Sequence, residues 1–172
     1  LGVANTWELR KGLLDFHHLS ESLPNNYKII LLGLNKKQFE NLPKNIIGIE
    51  LDTEIIEIAN SYFNLDKIRN FKCIIADAEE FVKTDKNTYN LIIIDIFKDT
   101  EMPEFLFEMN FIVSIKQLLN INGYIVFNTM ILDGFKNDKI NKYLELFDSE
   151  NFNKKVLKNV ERYNDLIIIK RL

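Results

Sequence analysis

Short, β-branched, almost unbroken apolar runs recur along this chain, separated by amphipathic stretches. The runs are Tyr27-Lys28-Ile29-Ile30-Leu31-Leu32-Gly33, Ile46-Ile47-Gly48-Ile49-Glu50, Phe71-Lys72-Cys73-Ile74-Ile75, Leu91-Ile92-Ile93-Ile94-Asp95, Gly123-Tyr124-Ile125-Val126-Phe127 and Leu166-Ile167-Ile168-Ile169. Runs of this length without polar alternation are the mark of strands covered on both faces, which is how parallel sheets are built. Between them lie stretches with helical spacing. Ile55, Ile58, Ala59, Tyr62 and Phe63 follow Asp52-Thr53, an N-terminal cap signal. Phe105 to Leu119 reads as a second helix ending near Asn122-Gly123. Ile140, Tyr143, Leu144 and Phe147 mark a third, and Trp7, Leu9, Leu13, Leu14, Phe16 and Leu19 mark one ahead of the first strand. Strand–helix alternation predicts an α/β fold with an open, mostly parallel sheet. The last two strand-like segments have no helix between them, which predicts an antiparallel edge.

Composition narrows the function. The 172 residues are 47% hydrophobic and 27% charged, so the chain can bury a core and is not disordered. A net charge of −3 argues against a broad nucleic-acid or anionic-membrane surface. No apolar run approaches the ~20 residues of a membrane-spanning helix. Trp7, Glu8, Arg10 and Lys11 interrupt any signal-peptide core. A single cysteine fits a reducing compartment, and a cytoplasmic location is expected. The start at Leu1 is expected of a fragment, and residues 1–172 read as a single domain, with a helical segment over 1–26 and the core over 27–172.

In an open α/β sheet, ligands sit at the carboxyl ends of the strands, where the strand order reverses. The first five strands here end at Gly33, Glu50, near Asp77, at Asp95 and near Asn128. Polar residues directly after apolar runs either cap the next helix or line a shared pocket. Glu50 ends the second strand, where a carboxylate suits the paired hydroxyls of a ribose. Asp52 is expected to cap the next helix. Asp77-Ala78 fits either an adenine amino group or a cap for the Glu79–Lys83 helix. Asp95 closes the most hydrophobic strand, where an unpaired carboxylate is costly, so it is expected to face a ligand, a metal or a positive partner. Asn128 and Thr129 either line an acceptor pocket or close a turn. His17 and His18 are adjacent and cannot share a helix face. Cys73 is expected in the core. No zinc-ligand cluster, GxSxG or GxxxxGK[ST] motif appears, and no metal site is expected.

From about Ile49 to Leu172 the chain resembles the spermidine synthase-like branch of class I S-adenosylmethionine-dependent transferases. The residues that carry this are Gly48-Ile49-Glu50-Leu51-Asp52, Ile75-Ala76-Asp77-Ala78-Glu79-Glu80-Phe81, Tyr89-Asn90-Leu91-Ile92-Ile93-Ile94-Asp95-Ile96-Phe97, and Gly123-Tyr124-Ile125-Val126-Phe127-Asn128. The resemblance implies a Rossmann-like three-layer sandwich around a seven-stranded sheet with an antiparallel C-terminal edge. It also implies S-adenosylmethionine or its decarboxylated form as donor. Glu50 would hold the ribose and Asp77 with Ala78 the adenine, Gly33 would allow close backbone approach, and Asp95 would lie beside the reacting group. Methyl or aminopropyl transfer to a small-molecule acceptor such as an amine follows, without nucleic acid or membrane and with room for a homodimer. Two departures stand out. Aminopropyltransferases carry Asp-x-x-Asp-Pro after the fourth strand, whereas Asp95-Ile96-Phe97-Lys98-Asp99 puts lysine at the second acid position. The first turn, Gly33-Leu34-Asn35-Lys36-Lys37-Gln38, has a single glycine where the family has a glycine-rich loop.

Residues 1–48 instead resemble part of the nucleotide-binding domain of retaining, two-Rossmann-domain glycosyltransferases. Trp7-Glu8-Leu9-Arg10-Lys11-Gly12-Leu13 and Leu42-Pro43-Lys44-Asn45-Ile46-Ile47-Gly48-Ile49 carry this likeness, which implies a diphosphate contact at Arg10 or Lys11. The two likenesses meet at residues 46–50, which raises the expectation of a chimera with a seam there. A degenerate Rossmann domain without cofactor, or a glycosyltransferase fragment, are the alternative readings.

Overall fold

The computed structural model describes residues 27–32, 45–98, 101–130, 136–161 and 164–172. In chain order they form β1 (Lys28–Leu32), β2 (Asn45–Glu50), α1 (Thr53–Phe63), β3 (Phe71–Ile75), α2 (Ala78–Thr84), β4 (Tyr89–Ile94), α3 (Met109–Leu118), β5 (Leu119–Met130), α4 (Lys136–Glu145), β6 (Phe152–Glu161) and β7 (Asn164–Arg171). The helix expected over Trp7–Leu19, the turn from Gly33 to Gln38, and His17 and His18 lie outside the described residues.

Seven strands form one sheet in the order β3-β2-β1-β4-β5-β7-β6. The pairs joining β1 through β5 are parallel, and β7 is antiparallel to both β5 and β6. This is the α/β, Rossmann-like sheet that the alternation predicts. The antiparallel hairpin sits at the expected end, with β7 inside it and β6 on the edge. The reason for this order lies in the central strands. Ile29, Ile30, Leu32, Leu91, Ile92 and Ile94 are fully buried, so β1 and β4 need strands on both sides and cover on both faces.

The chain steps outward from β1 to β2 to β3, then returns to β4 on the other side of β1. Right-handed crossovers place connections that travel in opposite directions on opposite faces of the sheet. Accordingly Val82 of α2, Phe111, Ile112 and Ile115 of α3, and Ile140 and Tyr143 of α4 share one core with Ile30, Leu32, Ile92, Ile94, Ile125 and Phe127. Ile29, Leu31, Ile46, Leu91, Ile93 and Val126 form a smaller cluster of side chains that alternate with the first set, on the other face.

Two helices depart from the sequence expectation. In α1 the inward residues are Ile56 and Ala59, while Ile55, Ile58 and Tyr62 are exposed. Asp52 caps the helix, its Oδ1 accepting the Glu54 N–H at 2.8 Å, and Ile56 and Ala59, three residues apart, share the inward face. The helix expected over Phe105–Leu119 is broken. A 3-10 turn spans Glu104–Phe107, Glu108 is extended, and α3 begins at Met109. Aromatic packing holds the break: Phe105 meets the Phe111 ring edge-on at 5.3 Å, and Phe107 reaches Phe127 and Tyr143 at 5.7 and 5.8 Å. A straight helix would not aim both rings this way.

Two positions in this core invite measurement. Tyr143 is 1% exposed between Phe127 and Phe147, and its hydroxyl has no hydrogen-bond partner among the described residues. A buried donor left unmatched costs about 1–3 kcal/mol, so Tyr143→Phe should raise the unfolding free energy by about 1 kcal/mol in urea titrations. Gly123 follows the left-handed Asn122 where β5 enters the sheet. A Cβ there would lie 2.8 Å from the Asn120 carbonyl oxygen and 3.1 Å from that of Asn90, both backbone atoms. Gly123→Ala should lower stability by about 1–3 kcal/mol in the same assay.

Candidate functional site

Strand register builds the site. Leu32 of β1 pairs with Ile49 of β2 and with Ile94 of β4, and Ile94 pairs with Phe127 of β5. Glu50, Asp95 and Asn128 are each the next residue along, so they stand in one row across the carboxyl ends of β2, β4 and β5. Parallel strands are spaced ~4.8 Å, which sets the Glu50 and Asp95 backbones ~10 Å apart on either side of β1. Because Ile49, Leu32, Ile94 and Phe127 all face the larger core, strict alternation turns this row toward the opposite face. The row crosses the reversal point between β1 and β4, where open α/β sheets bind ligands. The ladder continues one step beyond the strands: the Asp95 N–H donates to the Leu32 carbonyl at 2.8 Å, and the Ala76 N–H to the Glu50 carbonyl at 3.0 Å.

Each carboxylate has a distinct setting. Glu50 is half-buried, and its Oε1 accepts the Asp52 N–H at 3.0 Å, so the side chain is held against its own turn. Its charge reaches Cys73 on β3: burial first, and then Glu50, push the Cys73 thiol above its ordinary range. Cys73, expected in the core, is half-buried on this edge strand. That shift leaves it a neutral thiol and a poor nucleophile. Asp77 is exposed, two residues past the end of β3, and caps α2 by accepting the Glu80 N–H at 3.1 Å through Oδ1. Ala78 opens α2 and packs partly against the main core. The carboxylates at 50 and 95 therefore share the row, whereas Asp77 stands one strand further out and already serves its helix.

Asp95 is half-buried at the end of the most buried strand, and Asn128 Nδ2 donates to its Oδ1 at 2.9 Å. Asn128 in turn accepts from Asn164 Nδ2 at 2.9 Å. Sequence reading left Asn128 between pocket and turn; its amide contacts Asp95. Asn164 was not singled out for the site, and the available signal was a polar pair, Asn164-Asp165, opening an apolar strand. Lys98, at the second acid position, is exposed, and its backbone pairs with that of Glu101 at 2.8 and 3.0 Å. Gly33 and Lys36-Lys37 fall outside the described residues. Among the described residues no group of three or more His, Cys, Asp or Glu could hold a metal, and no helix is long and apolar enough to cross a membrane.

An open sheet with acceptor side chains across its reversal point defines a Rossmann-like domain. Solved structures agree on the fold. Human methyltransferase-like protein 13, in complex with SAH, superposes with a TM-score of 0.72 at 19% identity over 98% of this chain and 83% of its own. A probable spermidine synthase from Corynebacterium glutamicum superposes with a TM-score of 0.73 at 15% identity over 99% of this chain and 64% of its own. The chain belongs to the spermine/spermidine synthase domain family, whose model matches residues 26–163. Among curated relatives, the polyamine aminopropyltransferase of Vibrio vulnificus is 29% identical over 115 residues, 62% of this chain and 38% of the relative. The chain spans less than half the length of the curated relatives it matches. The family match begins at residue 26 and runs through residues 46–50. One family thus covers both sides of the expected seam, and the chimera finds no support.

Capping and ligand contact at Asp77 can be separated. Asparagine caps as well as aspartate, so Asp77→Asn should keep the melting temperature while Asp77→Ala costs about 1 kcal/mol. If the carboxylate also contacts a nucleoside, both variants weaken its binding in a calorimetric titration.

Proposed function

We propose that this domain binds a sulfonium nucleoside, decarboxylated S-adenosylmethionine, across the Glu50–Asp95 row and transfers its aminopropyl group to a small amine. One observation carries this reading: register sets two carboxylates at one level on either side of β1, in a chain of the spermine/spermidine synthase domain family. The residues suit the group. Glu50 Oε2 is not engaged by its turn and can accept ribose hydroxyls. Asp77 Oδ2, left over from capping, can accept an adenine amino hydrogen, beside Ala78. Gly33 would let the backbone approach the donor closely.

The donor supplies a carbon activated by positive sulfur: the amine lone pair forms the C–N bond as the C–S bond breaks, and the electron pair passes to sulfur. The protein's part is positional and electrostatic. Asp95, ionised and half-buried, attracts the amine and accepts the proton that the new C–N bond makes acidic. Asn128 holds Oδ1 of Asp95 and so orients the carboxylate. Lysine at position 98, in place of the family's second acid, withdraws a carboxylate anchor from the far end of a polyamine, which favours a short acceptor amine.

Calorimetric titration with decarboxylated S-adenosylmethionine, S-adenosylmethionine and S-adenosylhomocysteine tests the reading. Saturable heat with the decarboxylated donor is expected, together with weaker heat for Glu50→Ala. Asp95→Asn should retain donor binding and lose about 100-fold or more in transfer rate. Heat and turnover with S-adenosylmethionine alone would reassign the reaction to methyl transfer, and no heat with any of the three at millimolar concentration would defeat the proposal.

A further inference from the structure

We propose that Asn164 is a positioning residue for Asp95, acting through Asn128; this rests on the catalytic role proposed for Asp95. An ionised carboxylate only accepts hydrogen bonds, so Asn128 has to present its NH2 to Asp95. The Asn128 carbonyl then points away from Asp95 and needs a donor of its own. Asn164 supplies that donor: the two links are Asn164 Nδ2 to Asn128 Oδ1 at 2.9 Å and Asn128 Nδ2 to Asp95 Oδ1 at 2.9 Å. Polarity therefore runs one way through the chain, from β7 across β5 to the end of β4, and it ends on a charge, where a hydrogen bond is strongest.

The far end of this chain is firmly held. Asn164 pairs with Met130 at the start of β7, diagonal to Asn128. The next residue, Asp165, is 1% exposed; its carbonyl accepts the Thr129 hydroxyl at 2.9 Å and its Oδ1 accepts the Asn159 N–H at 2.9 Å. Ile167 and Ile169 anchor the strand in the core with no exposure. The start of β7 is thus fixed on both sides, and the Asn164 amide is a rigid donor. Without it, among the described residues only Asp95 distinguishes the nitrogen edge of the Asn128 amide from its oxygen edge. Turned over, the amide would set a carbonyl against the carboxylate and repel the group it now orients.

Asn164→Asp keeps the shape and exchanges donor for acceptor, so it should reverse the polarity of the chain. Steady-state kinetics with decarboxylated S-adenosylmethionine and a small amine should show kcat reduced ~10-fold or more, with the donor KM within about twofold and the melting temperature little changed. Asn164→Ala removes the donor without adding charge and should reduce kcat less; it serves as the second variant should the aspartate disturb folding. Nitrogen-15 spectra of the Asn128 side-chain NH2, assigned by its loss in Asn128→Leu, should shift in both Asn164 variants and in Asp95→Asn. Wild-type kcat in Asn164→Asp and Asn164→Ala, or Asn128 NH2 signals indifferent to residue 164, would overturn the proposal. Wild-type protein without turnover would overturn the proposed function alone, and the amide spectra would then decide the Asn164–Asn128–Asp95 chain by themselves.

Discussion

Burial of β1 and β4 side by side at the middle of the sheet sets everything that follows. Both strands are almost purely aliphatic, and most of their residues have no contact with solvent. Such strands cannot tolerate a slip by one residue, because every side chain would exchange faces. Their register is therefore firm, and it propagates outward through β2 on one side and β5 on the other. The polar residues at the strand ends inherit that precision. Glu50, Asp95 and Asn128 are level because Ile49, Leu32, Ile94 and Phe127 are level.

This arrangement divides the labour between oil and charge. The apolar body of the sheet supplies the free energy of folding, roughly 1.5–3 kcal/mol for each fully buried Leu or Ile side chain. Its carboxyl end collects groups that contribute little to that total and that would be costly if buried without partners. Asp95 shows how the cost is contained: it is half-buried, yet its Oδ1 is met by Asn128 and its backbone N–H by Leu32. Asp52 and Asp77 show the alternative, in which a carboxylate at a strand end spends an oxygen on capping the next helix.

The architecture was readable in the chain because strand formation here is a matter of local composition: continuous aliphatic runs can only be covered strands. The antiparallel hairpin was readable for the same reason, from two runs with no helix between them. Helix phase was less so. Apolar residues surround α1 on more than one side, so spacing alone picked out Ala59, which is buried beside Ile56, together with Ile55, Ile58 and Tyr62, which are exposed. The break at Glu108 depends on where Phe105 and Phe107 find aromatic partners, which is long-range information. Glu50 and Asp95 were visible as acids closing apolar runs. Asn164 was not, because its relation to Asp95 passes through Asn128 on another strand. The spermine/spermidine synthase domain model covers residues 26–48 as well, so the strand in that stretch did not separate the two likenesses.

The order of β5, β7 and β6 carries a consequence for how the molecule is made. β6 leaves the ribosome before β7 but touches only β7 within the sheet, so it has no place to dock until the later strand has paired with β5. Closure of the sheet and arrival of the Asn164 amide beside Asn128 are then the same event. A nascent chain would carry a nearly finished aliphatic core while the surroundings of Asp95 were still incomplete.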